Sequence, residues 1–365
     1  MSARSPWPGV VERYRAELPL PVGAEAITLL EGNTPLLRAD ALVPGRGPKV
    51  WLKLESLNPT GSFKDRGMTV AVTAAKAAGA RVLVCASTGN TAASAAAYAA
   101  RAGLGCAVLL PRGGVAAGKL LQAQVAGART LVVDAGFDRA LELVRAVSAA
   151  RPEVALVNSV NPLRLQGQKT SAFEIVEALG HAPSAVVLPV GNAGNISAYH
   201  LGFTEARRLG WSSAVPRLLG VQAEGASPMV GGEPVETPTT VASAIRIGRP
   251  ASAALARRAV AETGGGFLAV TDDAILAAHA RLPRILGVFA EPASAAAVAG
   301  LWRLVEEGRL GPEDEVVVVI TGHGLKDPDT ATAGIARAGV ALPESVAPDA
   351  RALEIAILGG EGGGA

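Results

Sequence analysis

Asn58-Pro59-Thr60-Gly61-Ser62-Phe63-Lys64-Asp65-Arg66-Gly67-Met68 follows the apolar run Val50-Trp51-Leu52-Lys53-Leu54 and sets one lysine at a turn between a strand and a helix. The Asn, Pro, Gly and Ser residues punctuate the turn, and the apolar run before it has strand character. An amine held at such a junction, partly shielded from water, can lose its proton and form an imine with an aldehyde. Ser-x-Lys alone more often marks a solvated lysine opening a helix, so its meaning depends on the rest of the chain.

Outward from this junction, strand-like and helix-like runs alternate. Arg81–Ala86 precedes a helical stretch from Ala92 to Arg101, Cys106–Leu110 precedes Val115 to Ala126, and Thr130–Val133 leads into Phe137 to Ala150. Val154–Val157 leads into Arg164 to Leu179, Ala185–Leu188 into Ile196 to Leu209, and a last apolar strand, Glu315–Ile320, ends in Thr321-Gly322-His323-Gly324. Short, non-alternating apolar strands separated by helices predict an α/β fold whose sheets are mostly parallel, with helices on both faces. In such sheets ligands bind beyond the carboxyl ends of the strands. Between about Gly225 and Thr271 the periodicity fades and no element can be placed. The end of the chain, from Pro343 to Gly359-Gly360-Glu361-Gly362-Gly363-Gly364-Ala365, reads as a frayed tail.

The 365 residues suffice for two to three domains, or for two lobes sharing one cleft. Hydrophobic residues make up 49% and charged residues 18%, and the formal net charge is +2 with the signs interspersed. No basic stripe of the kind that binds nucleic acid is present. The start of the chain lacks the apolar core of a signal peptide, and no apolar run approaches the roughly 20 residues of a membrane helix. A soluble, cytoplasmic protein is therefore expected. Cys85 and Cys106 fall in predicted strands as small buried hydrophobes, and His181, His200, His279 and His323 show no metal-ligand spacing.

Three loops at predicted strand ends carry polar groups suited to anions. Gly191-Asn192-Ala193-Gly194-Asn195 opens a helix after Pro189-Val190, so that backbone amides and the helix dipole can converge on a phosphate. Ser87-Thr88-Gly89-Asn90-Thr91 offers hydroxyls and amides to a carboxylate, or simply caps the next helix. Asn158-Ser159-Val160-Asn161-Pro162-Leu163-Arg164 is a candidate second phosphate site, or a capped helix with a solvated arginine. No stretch fits Gly-x-x-x-x-Gly-Lys-Ser/Thr or places Gly-x-Gly-x-x-Gly after the first strands, which disfavours a nucleoside triphosphate or a dinucleotide.

With these motifs in this order, the chain resembles the fold-type II pyridoxal-phosphate enzymes, and within them the bacterial threonine synthases. The likeness runs through Trp7-Pro8-Gly9-Val10, Leu30 to Leu36, Gly61 to Met68, Ser87 to Ser94, Asn158 to Thr170, Gly191 to Asn195, Glu291-Pro292-Ala293-Ser294 and Gly324 to Pro328, or about residues 6 to 332. The lysine block together with Asn-Ser-x-Asn-Pro-x-Arg is more specific than the Ser-x-Lys and Gly-rich loop shared with dehydratases and sulfhydrylases.

The resemblance implies that Lys64 carries pyridoxal 5'-phosphate as an imine beside Phe63, and that Gly191, Asn192, Ala193, Gly194 and Asn195 hold its phosphate. It implies that Asn90 meets the pyridine 3' oxygen and Thr321 the pyridine nitrogen. Ser87, Thr88 and Thr91 would seat the substrate carboxylate; Asn158, Ser159 and Arg164 would take the substrate phosphate. No metal is expected. His323 stands where a small or amide residue is more usual. The implied reaction converts O-phospho-L-homoserine and water to L-threonine and phosphate, in a homodimer. The implied organisation is a large lobe begun by residues 1–68 and completed by 164–342, a small mobile lobe over 69–163, and a flexible tail over 343–365. A serine or threonine ammonia-lyase would use the same lysine and phosphate loop for simpler β-elimination, and a non-catalytic sensor of a phosphorylated metabolite would need no lysine there.

Overall fold

The computed structural model describes residues 6–87, 89–111, 120–134, 137–159, 161–337 and 345–358. It divides into a main unit, Met1–Pro328, and a short unit, Asp329–Ala365, in which Ala350–Leu358 forms a helix with no buried residue.

Ten strands are described in the main unit: β1 Leu36–Arg38, β2 Lys49–Lys53, β3 Val82–Ala86, β4 Gly105–Pro111, β5 Arg129–Val133, β6 Val154–Leu156, β7 Ala185–Pro189, β8 Arg217–Ala223, β9 Gly266–Val270 and β10 Glu315–Val319. Six form a sheet in the order β1-β2-β10-β7-β8-β9, and four form a second sheet in the order β5-β4-β3-β6. Every pairing is parallel except that of β1 with β2. Because β10 lies between β2 and β7, the carboxyl ends of these three strands are neighbours. The α/β fold with mostly parallel sheets is thus as the apolar runs require: Val316–Val319 and Ala185–Leu188 have no solvent exposure, as strands covered on both faces must.

Three strands escaped the sequence pattern. β1 is only three residues long, β8 carries Arg217 and Gln222 among its apolar residues, and β9 opens on glycine after a helix, Ala253–Glu262, that the pattern also missed. The expected helix Arg164–Leu179 is two helices, Pro162–Gln168 and Thr170–Leu179, divided at Lys169. Of the helix expected over 115–126, Leu121–Val125 is present and 112–119 lie outside the described residues. Cys85 and Cys106 are buried, unbridged thiols; burial raises both, Cys106 to about 11.

Two features fix the junction that carries Lys64. The helices Lys64–Ala77 and Pro162–Gln168 touch backbone to backbone: a Cβ on Gly67 would lie 2.6 Å from the Arg164 carbonyl oxygen, and one on Gly167 would collide with that of Arg66. Only glycine allows that approach, and it brings Arg164 alongside the lysine-bearing helix. The second feature is a cluster of buried charges. Arg66 donates from Nε and Nη2 to Glu55 (2.7 and 2.8 Å) and from Nη1 and Nη2 to Glu174 (both 2.6 Å). Lys53, at the end of β2, donates to Glu174 Oε2 at 2.7 Å and to the Thr34 carbonyl at 2.7 Å. Asn33 N–H, Thr34 Oγ1 and Ser171 Oγ satisfy further carboxylate lone pairs. Burial pushes both carboxyls up, but Arg66 and Lys53 outweigh it and hold them below the usual range.

Two cations facing two carboxylates cancel, and removing one member leaves a buried charge without its counterion. Glu174→Gln should therefore lower stability by about 3–5 kcal/mol in a chemical-denaturation experiment. Arg139→Ala, which breaks an exposed pair with Glu142, should leave the denaturation midpoint unchanged.

Candidate active site

Lys64 is the first residue of the helix Lys64–Ala77, and the preceding turn is tied down on both sides. Asp65 accepts from Thr60 N–H (2.7 Å), Thr60 Oγ1 (2.6 Å) and Ser94 Oγ (2.6 Å), which fastens the turn to itself and to the helix Asn90–Ala102. Burial raises the Asp65 carboxyl to about 6 in spite of these bonds. Phe63 N–H donates to the Thr321 carbonyl at 3.0 Å, joining the turn to the chain leaving β10. The half-buried Lys64 Nζ lies 4.1 Å from the centre of the Phe63 ring. Burial, followed by the nearby Arg164 charge, lowers its pKa to about 7, while Glu291 pulls the other way. An amine so placed is largely neutral just above neutrality and can act as nucleophile or base.

The loop after β7 has the form of an anion cradle. Ala193 adopts a left-handed conformation (φ 63°) and opens the 15-residue helix Gly194–Arg208 without a side-chain cap. The first amides of that helix have no intrahelical acceptor. A Cβ on Gly191 would come within 3.1 Å of the Ala244 carbonyl oxygen and of Ile245 Cα, so this backbone already sits as close to the segment below it as any side chain would permit. Asn192 is fastened from outside, its carbonyl accepting from Ser252 N–H at 3.1 Å. The buried Asn195 Nδ2 and Ser62 Oγ have no partner among the described residues. Free amides, a helix N-terminus and unsatisfied donors suit a phosphate monoester.

Thr321 follows β10, beside the end of β7. Its hydroxyl pairs with Ser294 Oγ at 3.0 Å, and Ser294 Oγ accepts from Gly322 N–H at 2.9 Å. Asn90 opens its helix and donates from Nδ2 to both oxygens of Glu291, at 3.0 and 3.3 Å. Ser87 and Thr91 flank the same helix start, partly exposed; Thr88 lies outside the described residues. Asn158 is committed to the fold by two bonds with Ala86, accepting from its N–H at 2.9 Å and donating to its carbonyl at 2.8 Å, which fastens the end of β3. Ser159 remains partly exposed.

Arg164 is 1% exposed. Nη1 donates to the Val157 carbonyl at 2.9 Å, while Nε and Nη2 have no partner among the described residues. These two N–H groups share one edge of the planar guanidinium, the edge that bonds two oxygens of a single anion.

Sequence reasoning assigned no role to Glu291, Ser294 or Lys326. Their signal was the Glu-Pro pair opening the helix Pro292–Glu306, since proline at the first helical position marks a start. Lys326 donates to the Thr60 carbonyl at 3.0 Å and to Gln122 Oε1 at 2.5 Å. His323 accepts from Leu325 N–H at 3.2 Å through Nδ1, capping its own turn, and meets Phe289 edge-on at 5.7 Å. His181 and His200 pair with Glu315 and Glu262, and His279 packs against Phe289. Among the described residues no group of His, Cys, Asp or Glu could hold a metal, and no helix is long and apolar enough to cross a membrane.

Residues 27–322 match the family model described as pyridoxal-phosphate dependent enzyme. The chain is 56% identical over 330 residues to a threonine synthase of Mycobacterium tuberculosis, covering 90% of this chain and 92% of the relative. It is 53% identical to a threonine synthase of Synechocystis, over 89% of this chain and 85% of the relative. Maize serine racemase superposes with a TM-score of 0.71 at 22% identity, over 90% of this chain and 96% of that one, a likeness of fold. With a lysine of lowered pKa and a loop of anion-cradle form at neighbouring strand ends, the chain belongs to the pyridoxal-phosphate-dependent enzymes, in their threonine synthase family.

Proposed function

We propose that this chain converts O-phospho-L-homoserine and water to L-threonine and inorganic phosphate, breaking the Cγ–oxygen bond and placing a hydroxyl on Cβ. The observation that carries this reading beyond cofactor chemistry is Arg164, which is near enough to Lys64 to lower its pKa and whose buried Nε and Nη2 have no partner among the described residues. A buried guanidinium edge with two unpaired N–H groups is costly unless it has an anion to receive. The phosphate of the substrate is that anion, with Ser159 and the remaining hydrogen-bond capacity of Asn158 beside it.

Gly191, Asn192, Ala193, Gly194 and Asn195 would hold the cofactor phosphate, Asn90 the 3' oxygen and Thr321 the ring nitrogen, with Phe63 and Lys64 completing the seat. Bound pyridoxal phosphate supplies an electron sink conjugated to the substrate nitrogen. Thr321, a neutral hydroxyl paired with Ser294, would meet the ring nitrogen without placing a full negative charge there. Ser87, Thr88 and Thr91, with the amides that open the helix Asn90–Ala102, would seat the substrate carboxylate. Lys64 holds and moves a proton at Cα, then Cβ, then Cγ. A single amine can serve all three carbons only if water is kept from competing.

Residues 69–163 would move as a lobe over the cleft; in support, β3 to β6 all come from this segment. The reading extends to a cytoplasmic homodimer, which light scattering at assay concentration checks.

Incubating the purified protein with O-phospho-L-homoserine should release phosphate and threonine in equal amounts; phosphate without threonine would discard the proposal. Lys64→Ala should abolish turnover while keeping the circular dichroism spectrum, and borohydride should fix the cofactor to Lys64 in the unaltered protein, not to Lys53 or Lys169. With the Lys64 pKa lowered to about 7, the reactive neutral amine is gained as pH rises through that value. Binding of pyridoxal phosphate to the apoprotein should then be about ten-fold faster at pH 8 than at pH 6, followed by stopped-flow absorbance. Arg164→Leu should reduce kcat/KM toward O-phospho-L-homoserine by about 10- to 150-fold and spare slow reactions of serine; equal losses on both would make Arg164 a support of the fold.

A further inference from the structure

Glu291 is a buried carboxyl to which the roles above give no work. It is 4% exposed and immediately precedes the helix Pro292–Glu306. Its backbone N–H donates to the Gly322 carbonyl at 2.9 Å, and a Cβ on Gly322 would collide with its carboxyl group. The side chain is thus confined between the end of β10 and Asn90, whose Nδ2 lies 3.0 and 3.3 Å from its two oxygens.

A carboxylate only accepts hydrogen bonds, whereas an amide can present either face. With both Glu291 oxygens accepting, Asn90 turns its NH2 group toward them, which fixes the directions of its second N–H and of Oδ1. A glutamine at 291 could donate as well as accept and would leave both orientations of Asn90 open. Glu291 also interacts with the charges of Lys326 in the turn after β10, of Lys64 and of Asp327. Lys64 in turn is faced by Arg164 and Glu291.

We infer that Glu291 is a positioning residue that orients the Asn90 amide for the cofactor and places a carboxyl group beside the turn that carries Lys64. This rests on the pyridoxal-phosphate reading of the site and adds to it a residue that touches neither substrate nor reacting atoms.

The test uses the apoprotein titrated with pyridoxal phosphate and followed by absorbance. Glu291→Gln should weaken the Kd by about ten-fold, as expected for loss of one charge-assisted, oriented hydrogen bond. It should also lower the pH midpoint for imine formation at Lys64, because the carboxylate that favours the ammonium is gone. A merely structural role would not move that midpoint. Asn90→Ala should weaken the Kd comparably, and adding Glu291→Gln to it should change the Kd by less than about two-fold. An unchanged midpoint in Glu291→Gln, or losses that multiply in the double variant, would overturn the inference. If Glu291→Gln does not fold, Asn90→Ala alone decides: unchanged cofactor affinity would sink the idea. Intact cofactor binding in the unaltered protein without threonine formation would count against the proposed reaction and leave this inference standing.

Discussion

Arg66, Glu55, Glu174 and Lys53 form the constraint on which the site depends. Arg66 is two residues past Lys64, Glu55 opens the turn before it, Lys53 ends β2, and Glu174 comes from the helix Thr170–Leu179. Four charges with almost no exposure are tolerable only because each carboxylate meets a guanidinium or ammonium and the hydroxyls and amides nearby complete the set. A hydrophobic cluster could fill the same volume, but it would not fix the angle at which strand, turn and helix meet. The charged cluster does, since the guanidinium bonds the two carboxylates in only one arrangement.

The chemistry around Lys64 follows from that rigidity. A lysine in water keeps its proton until far above neutral pH, and the site alters this by shielding the amine and facing it with Arg164. Arg164 itself is lowered to about 10 by burial, so two cations share a poorly solvated space. The Arg164 charge disfavours the ammonium form of Lys64. Glu291 compensates only in part, being raised by its own burial. The arrangement leaves room electrostatically for an anion.

Much of the candidate site was legible from residues adjacent in the chain. The lysine turn, the Gly-Asn-Ala-Gly-Asn loop and Thr321 each follow a strand whose apolar run is plain, and each carries residue types whose local geometry is narrow. Glu291 was not legible in the same way: a Glu-Pro pair announces a helix start, and nothing in the sequence says that its carboxyl will meet Asn90, 201 residues away. Asn158 shows the opposite case. Its position after a strand suits a ligand contact, yet its amide closes on Ala86 from a neighbouring strand, a pairing set by the order of strands in the sheet.

The sequence by itself determined the α/β alternation, the parallel sheets, the lysine and its turn, because apolar runs, glycines and helix-start residues act through neighbours a few positions away. Tertiary structure alone decided which loops adjoin, since placing β10 between β2 and β7 brings Lys64, Thr321 and the 191–195 loop to neighbouring strand ends. It also decided the charge states: the lowered pKa of Lys64 arises from burial and from Arg164, 100 residues further along the chain, and desolvation and Coulomb interactions depend on distance in space, which the order of residues does not specify.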